Sequence, residues 1–175
     1  VFCHTVSAFF SAILSSLIEP TKQFVLDYGI IGLGIFSFTE GVINPVPISP
    51  IMAFAITGMG LPAIPIFLVT LFANLLGAAL GFYLGFKLGH PVCVRLFGEK
   101  NVLKAEKFFQ KWGEFGVFIM AFTPLPFKVA AWSAGIFEMR FWRFLAAAFI
   151  GRFAHFLSAL AVVAFGFEAL AFFIK

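Results

Sequence analysis

The sequence predicts an all-α integral membrane protein with an inverted-topology repeat, in which each half is a re-entrant helical hairpin followed by a full transmembrane helix. Hydrophobic residues make up 62% of the chain and charged residues 11%, whereas about a quarter of the residues in soluble domains are charged. Two Pro-x-Pro elements interrupt apolar segments, and a long apolar segment follows each of them. We therefore expect residues 1–175 to form a single membrane domain.

The hairpin tips are predicted at the two Pro-x-Pro elements, residues 45–47 and 124–126. Proline removes a backbone donor and clashes with the preceding turn, so a continuous helix cannot pass through either element. Broken backbone at membrane depth is tolerated only where protein or a water-filled cavity covers it. We expect residues 44–50 and 124–128 to be non-helical at membrane depth.

The first repeat is predicted at residues 21–89, with a re-entrant hairpin at 24–60 and a crossing helix at Leu61–Leu88. The apolar limb before the first prolines covers only about 24 Å at 1.5 Å per residue, less than the ~30 Å hydrocarbon core of a bilayer. An N-terminal helix at residues 1–20 either spans the membrane or lies in its interface. We expect a break at Glu19-Pro20, because proline suits the first turn of a following helix.

Four glycines of the first crossing segment recur every four residues. They are Gly77, Gly81, Gly85 and Gly89, and small residues on one helical face allow a second helix to approach closely. This spacing predicts helix packing, and a glycine-lined path is the alternative.

A basic connector at residues 90–115 separates the two repeats. Its cations alternate with apolar residues at helical spacing and are Arg95, Lys100, Lys104, Lys107 and Lys111. The pattern predicts an amphipathic helix of the kind that lies on an anionic leaflet, and a solvated helix joining the halves is the alternative. The positive-inside rule predicts Lys104 on the cytoplasmic side and Lys22 outside.

The second repeat is predicted at residues 116–175, with a re-entrant hairpin at 116–138 and a crossing helix at Phe144–Ile174. The first hairpin would enter from outside and the second from the cytoplasm, so the repeats would have opposite orientations. Transporters with inverted repeats bind substrates near the midplane, between opposed broken helices.

Glu40 stands one turn before the first break and is the candidate proton-coupling residue. An ionisable group inside an apolar segment is by default a functional hypothesis, and burial favours the protonated form of a carboxyl. The alternative is a structural carboxylate that pairs with Arg152 or Lys128.

Lys128 and Arg152 are the candidate phosphate-binding residues. Lys128 follows the second break, where a cation and the free N–H groups of a helix N-terminus favour phosphate; snorkelling to the inner surface is the alternative. Arg152 lies about 14 Å beyond Arg143 along a helix. We expect Glu40 to face at least one of the two cations across a polar cavity, because an isolated buried charge is costly.

Further residues of the breaks and of the last helix are candidates for lining the site: Asn44, Pro45, Pro47, Ser49, Thr123, Pro124, Pro126 and His155. Asn44 and Asn74 are alternatively explained as bridges between helices, and His155 as a hydrogen-bonded packing residue. The sequence contains no Ser/His/Asp set, metal-ligand cluster, P-loop or CxxC motif. We therefore expect no enzyme activity, no cofactor, no bound metal and no nucleic-acid partner.

These motifs resemble those of the DedA superfamily, also called SNARE-associated or VTT-domain proteins. The resemblance runs from about Thr21 to the C-terminus and rests on Glu40 with the first prolines, the glycine stripe, FTPLPFKVAAWSAG at 122–135 and Gly151-Arg152. It is greatest with the subgroup that carries a Pro-x-Pro-(Phe/Tyr)-Lys-Val element. It implies a multi-pass protein of the cell (inner or plasma) membrane with two re-entrant hairpins. Its relatives are implicated in phospholipid scrambling or in the return of a polyprenyl-phosphate carrier such as undecaprenyl phosphate, with proposed proton coupling.

The resemblance implies that Glu40 matches the family's first membrane acid, Lys128 an arginine after the prolines, and Arg152 the arginine of Gly-Arg. Many members carry a second acid after the first break, where this chain has Ser49-Pro50, and an arginine before the second break, where it has Ala121. These departures weaken the prediction of paired acids and of a multi-arginine phosphate clamp.

Three functions are consistent with these patterns. The first is a lipid translocase or scramblase that passes a phosphate head group between the hairpin tips while the tail stays in the bilayer. The alternatives are a proton-coupled transporter of a small solute and a membrane assembly protein without transport. Substrate, energy source and oligomeric state stay open.

Overall fold

The computed structural model describes the backbone of residues 2–44, 46–123 and 127–174, and the side chains of 19–44, 46–89, 111–123, 127–164 and part of 91–107. These ranges contain α1 (Phe2–Val42), α2 (Ile48–Thr57), α3 (Ala63–Phe97), α4 (Glu99–Phe122), α5 (Phe127–Ile136) and α6 (Phe141–Ile174). Pro45, Pro124 and Pro126 lie outside the described residues.

Within the described chain, three helical segments are long and apolar enough to cross a membrane: Glu19–Val42, Ala63–Gly89 and Phe141–Ala164. The second and third correspond to the two predicted crossing helices. The first includes the limb that the sequence predicts to be re-entrant. Large apolar side chains cover the outer surface, and Trp142 exposes 77% of its area, as expected for helices that face lipid.

The predicted break at Glu19-Pro20 is wrong. Helix α1 continues through Pro20, and its interruption lies at Gly29, with φ 56° and ψ −134°. A proline costs a helix one hydrogen bond, whereas this kink needs a left-handed backbone that glycine adopts without steric cost. Gly113 kinks α4 with nearly the same angles, φ 49° and ψ −127°.

The two breaks are narrower than predicted. Helix α2 begins at Ile48 and α5 at Phe127, so residues 48–50 and Lys128 are helical. Pro47 precedes α2 in an extended conformation, and Pro50 then occupies the first helical turn. A proline is tolerated there, because the first N–H groups of a helix have no intrahelical partner.

The chain has two halves with matching elements. In each half, a limb that follows a kinked glycine leads to a break, a short helix and a long helix. The short helices α2 and α5 have 10 residues each. The turns after them contain Gly60 and Glu138, which both have positive φ.

Ring contacts show that α3 and α6 run antiparallel. Phe67 lies 5.3 Å from Phe153, and Phe82 lies 4.9 Å from Phe144, measured between ring centroids. The contacts therefore move forward along α3 as they move backward along α6. The end of the α3 span consequently lies beside the beginning of α6.

The glycine stripe of α3 is a packing surface at three of its four positions. A side chain at Gly77 would collide with the Phe38 carbonyl, and one at Gly85 with the backbone of Trp132; Gly81 packs against the Trp132 ring. The close packing predicted from the spacing is thus confirmed there. It is wrong for Gly89, where φ of 69° kinks the helix.

Candidate functional site

Glu40 forms the centre of a polar cluster between the two halves. Its Oε1 lies 3.6 Å from Nη2 of Arg152, and the two side chains are 13% and 5% exposed. Its Oε2 accepts a hydrogen bond from Nδ2 of Asn74. The expected contact between the acid of the first half and a cation of the second is therefore present.

The cluster lies near the middle of both long helices. Asn74 is about 16 Å along α3 from Ala63, and Arg152 is about 16 Å along α6 from Phe141, at 1.5 Å per residue. The two candidate spans contain 27 and 24 residues. Charged and polar groups at this depth need partners, because hydrocarbon supplies none.

Asn74, which the sequence predicts only as a bridge between helices, is a member of the cluster and does join α3 to α1. Its Nδ2 also donates to the Ser37 carbonyl at 3.1 Å, which fixes a donor toward Glu40. Asn74 and Arg152 stand at the same distance from the starts of α3 and α6. The matching positions of Asn74 and Arg152 are the signal that could have assigned Asn74 to the site. This signal can be recognised only when the starts of α3 and α6 are known.

Arg152 is buried against aromatic rings. Its guanidinium carbon lies 4.4 Å from the ring centroid of Phe127 and 5.7 Å from that of Phe156, and both rings attract a cation through their faces. Among the described residues, Nε of Arg152 and Oδ1 of Asn74 have no hydrogen-bond partner. The site therefore retains donor and acceptor capacity beyond the pairing with Glu40.

Lys128 contacts the end of α1. Its Nζ donates to the Asn44 carbonyl at 2.9 Å, and Nε1 of Trp132 donates to the Val42 carbonyl at 3.0 Å. The last carbonyls of a helix have no intrahelical partner and carry its negative dipole end. Helix α5 of the second half thus supplies hydrogen-bond donors to the carbonyl groups at the end of the first limb.

Two predicted lining residues make local hydrogen bonds. Oδ1 of Asn44 accepts from the Val46 N–H at 3.1 Å, which is the bond that closes an Asx turn. Oγ1 of Thr123 donates to the Ile119 carbonyl at 2.7 Å. Both side chains stabilise the ends of their own limbs.

His155 joins the two breaks. Its Nδ1 lies 2.8 Å from the Phe122 carbonyl, and its Nε2 lies 2.9 Å from Oγ of Ser49. A carbonyl only accepts, so Nδ1 carries hydrogen and donates, and Nε2 of the neutral ring accepts from the Ser49 hydroxyl. His155 therefore connects the end of α4 to the first turn of α2.

A family profile described as the VTT domain matches residues 46–167. The chain belongs to the VTT-domain family. The matched region of this VTT-domain protein includes Asn74, Lys128 and Arg152, whereas Glu40 precedes it.

This VTT-domain protein is also similar to proteins described only as uncharacterized. One, from Methanocaldococcus jannaschii, is 36% identical over 141 residues, which cover 77% of this chain and 86% of the relative. Another, from Haemophilus influenzae, is 31% identical over 149 residues, 82% of this chain and 77% of the relative. No solved structure matches the chain. The family and the three apolar spans together identify a multi-pass membrane protein.

Proposed function

We propose that this VTT-domain protein moves lipids with a phosphate head group, either phospholipids or a polyprenyl phosphate, across the cell membrane. The observation that supports this most is the guanidinium of Arg152, which is buried at mid-span and faces a carboxylate of the other half. A buried arginine at this depth is expensive, and its planar donors suit the oxygens of phosphate.

Competition for Arg152 provides the proposed mechanism. Without substrate, Glu40 compensates the charge of Arg152. An arriving phosphate takes the place of the carboxylate, and protonation of Glu40 favours this exchange because it removes the competing negative charge. Release of the phosphate and loss of the proton restore the original pair.

The proposal includes an inverted repeat with two re-entrant hairpins. It is supported by the matching order of elements in the halves, by the antiparallel α3 and α6, and by the short α2 and α5. Substrate sites of such transporters lie between the repeats near the midplane. The chain would belong to the Pro-x-Pro-(Phe/Tyr)-Lys-Val subgroup, since Phe127-Lys128-Val129 follows the second prolines.

Apolar grooves on α6 offer a place for the lipid tail. One groove of about 480 Å³ between α3 and α6 is lined by Phe72, Leu75, Leu76, Ala79, Phe141, Trp142, Leu145, Ala146 and Phe149. A tail in such a groove stays in contact with the bilayer, so only the head group has to pass the polar cluster. The free-energy cost of transfer is then mainly that of the charged head.

The deciding experiment reconstitutes the purified protein in vesicles and follows labelled phospholipid and labelled polyprenyl phosphate separately. Wild type is expected to accelerate transfer of at least one, and Arg152→Gln to lose that acceleration. Arg143→Gln is the matched control, because Arg143 forms an exposed ion pair with Glu114. Absence of transfer by folded wild type, for both lipids, would refute the proposal.

Topology is tested by cysteine labelling. Cysteines that replace Lys104 and Lys22 are expected to react from opposite sides, with position 104 cytoplasmic. Labelling of both from one side would contradict the inverted repeat.

Proton-coupled transport of a small solute is the second candidate. The observation that favours it is the burial of the Arg152 side chain, which is 5% exposed and packs against the rings of Phe127 and Phe156. Solute uptake driven by a proton gradient, in vesicles that show no lipid transfer, would select this alternative.

A further inference from the structure

The segment at residues 99–112, named here the connector helix, is set apart from the rest of α4. Gly98 precedes it with φ of 80°, and Gly113 follows it with φ of 49°. Both angles are ones that side-chain-bearing residues rarely adopt. The connector helix is therefore a separate helical segment with a change of direction at each end.

One stripe of this helix is basic. Lys100, Lys104, Lys107 and Lys111 follow the spacing i, i+4, i+7, i+11, which places them on one face, and all four are exposed. Two glutamates, Glu99 and Glu106, leave the segment with an excess of positive charge.

Apolar residues accompany the lysines at helical spacing. At 3.6 residues per turn, Leu103 and Trp112 lie on either side of the lysine stripe. Leu103 and Trp112 each expose 42% of their area, and Nζ of Lys111 lies 5.6 Å from the Trp112 ring centroid. Basic and aromatic side chains side by side are typical of helices that lie at a membrane surface.

The position of the connector helix in the fold brings it to the end of the bundle. It follows the kink at Gly89, where the α3 span ends. Directly after Gly113, Oε1 of Glu114 accepts from Nη1 of Arg143 at 2.9 Å, near the start of α6. The lysines are thus carried at the end of the bundle where one crossing helix finishes and the other begins.

We propose that the lysine stripe of the connector helix is a docking surface for anionic phospholipids of the adjacent leaflet. Charge complementarity selects this occupant: four exposed lysines on one face attract a negatively charged lipid surface, and the neighbouring apolar side chains enter its interface. The proposal is independent of lipid translocation, because it concerns a surface outside the Glu40–Arg152 cluster.

The test measures amide hydrogen exchange of the full-length protein in nanodiscs. One set contains phosphatidylcholine alone, and the other contains phosphatidylcholine with phosphatidylglycerol. Exchange across residues 99–112 is expected to be about tenfold slower in the anionic nanodiscs, and this difference is expected to disappear at about 1 M salt, where the Debye length falls to about 3 Å.

Matched variants distinguish an effect of the lysine stripe from an effect of positive charge elsewhere on the protein. Lys104→Gln with Lys111→Gln is expected to reduce the lipid-dependent difference, whereas Lys87→Gln with Arg140→Gln, two exposed cations outside the stripe, is expected to preserve it. Equal exchange of wild type in both lipids would overturn the proposal. Protection that follows protein concentration rather than lipid charge would overturn it in favour of contact between copies.

Discussion

The two halves of the molecule have matching helices and complementary chemistry. Glu40 stands two residues before Val42, where α1 ends, and Met120 stands two residues before Phe122, where α4 ends. Midway along the crossing helices, the first half has Asn74 and the second Arg152. One half supplies the acid and the other the cation, so each alone would bury an uncompensated charge. The site exists only where the halves meet.

The ends of the two limbs also differ, in which half of the molecule supplies their hydrogen-bond partners. Lys128 and Trp132 of the second half bond the last carbonyls of the first limb. The end of the second limb is bonded within its own half, by Thr123 and His155. Separation of the halves would therefore release the first limb more than the second.

The largest expected effect comes from removing the cation. Arg152→Gln leaves Glu40 without its charge partner, and we expect a loss of about 3–5 kcal/mol in the free energy of unfolding, together with loss of translocation. Unfolding of the detergent-solubilised protein, followed by circular dichroism, measures this. Glu40→Gln combined with Arg152→Gln is expected to restore part of the stability.

Arg143→Gln is the control for this prediction. It breaks an exposed pair, for which we expect a change of at most about 1 kcal/mol. Equal destabilisation by Arg143→Gln and Arg152→Gln would show that the two halves do not depend on the buried pair.

Replacing the acid tests its proposed coupling role. Glu40→Gln mimics the protonated carboxyl, so we expect retained substrate binding and a translocation rate that no longer varies with pH. Reconstituted vesicles at a series of pH values provide the measurement. A pH profile identical to that of wild type would exclude Glu40 as the coupling group.

The hydrogen bond from Lys128 of the second half to the end of the first limb is tested with Lys128→Ala. Loss of a charged hydrogen bond is expected to cost about 1.5–3 kcal/mol and to accelerate amide exchange at the end of α1. It should also reduce translocation strongly, since Lys128 is a proposed phosphate ligand. Thr123→Val is the comparison, because it removes a hydrogen bond made within the second half. An equal or larger effect of Thr123→Val would contradict the difference between the limbs.

The smallest effect is expected from replacing the side-chain amide of Asn74. Asn74→Leu removes the donor to Glu40 while roughly keeping the volume, and we expect a cost of about 1 kcal/mol and a translocation rate reduced about fivefold. Thr70→Val is the control, because the Thr70 hydroxyl has no partner among the described residues. If both variants behave alike, Asn74 is only a packing residue.

The sequence was sufficient for features that follow from local sterics or from charge. The Pro-x-Pro elements predicted both breaks, and the cost of buried charge predicted that Glu40 meets a cation. The single Pro20 wrongly predicted a further break. The kink at Gly29 was not predicted, because other glycines of the chain stand in unbroken helix and the residue type alone does not mark the position that bends.

Asn74 was predicted as a bridge between helices, which its bonds to Ser37 and Glu40 confirm, but its contact with the acid was not predicted. The role of Trp132 was not predicted either, since its hydrogen bond joins helices that are distant in sequence.

The order of the partners of Glu40 along the chain bears on biosynthesis. Asn74 follows Glu40 by 34 residues, whereas Arg152 belongs to the last helix. At the usual synthesis rate, Arg152 leaves the ribosome about 5–20 s after Glu40. During that interval the newly inserted first half has only the amide to satisfy the carboxyl. Asn74 is therefore the first of the two partners to become available to Glu40, and it keeps its hydrogen bond after the guanidinium of the second half joins it.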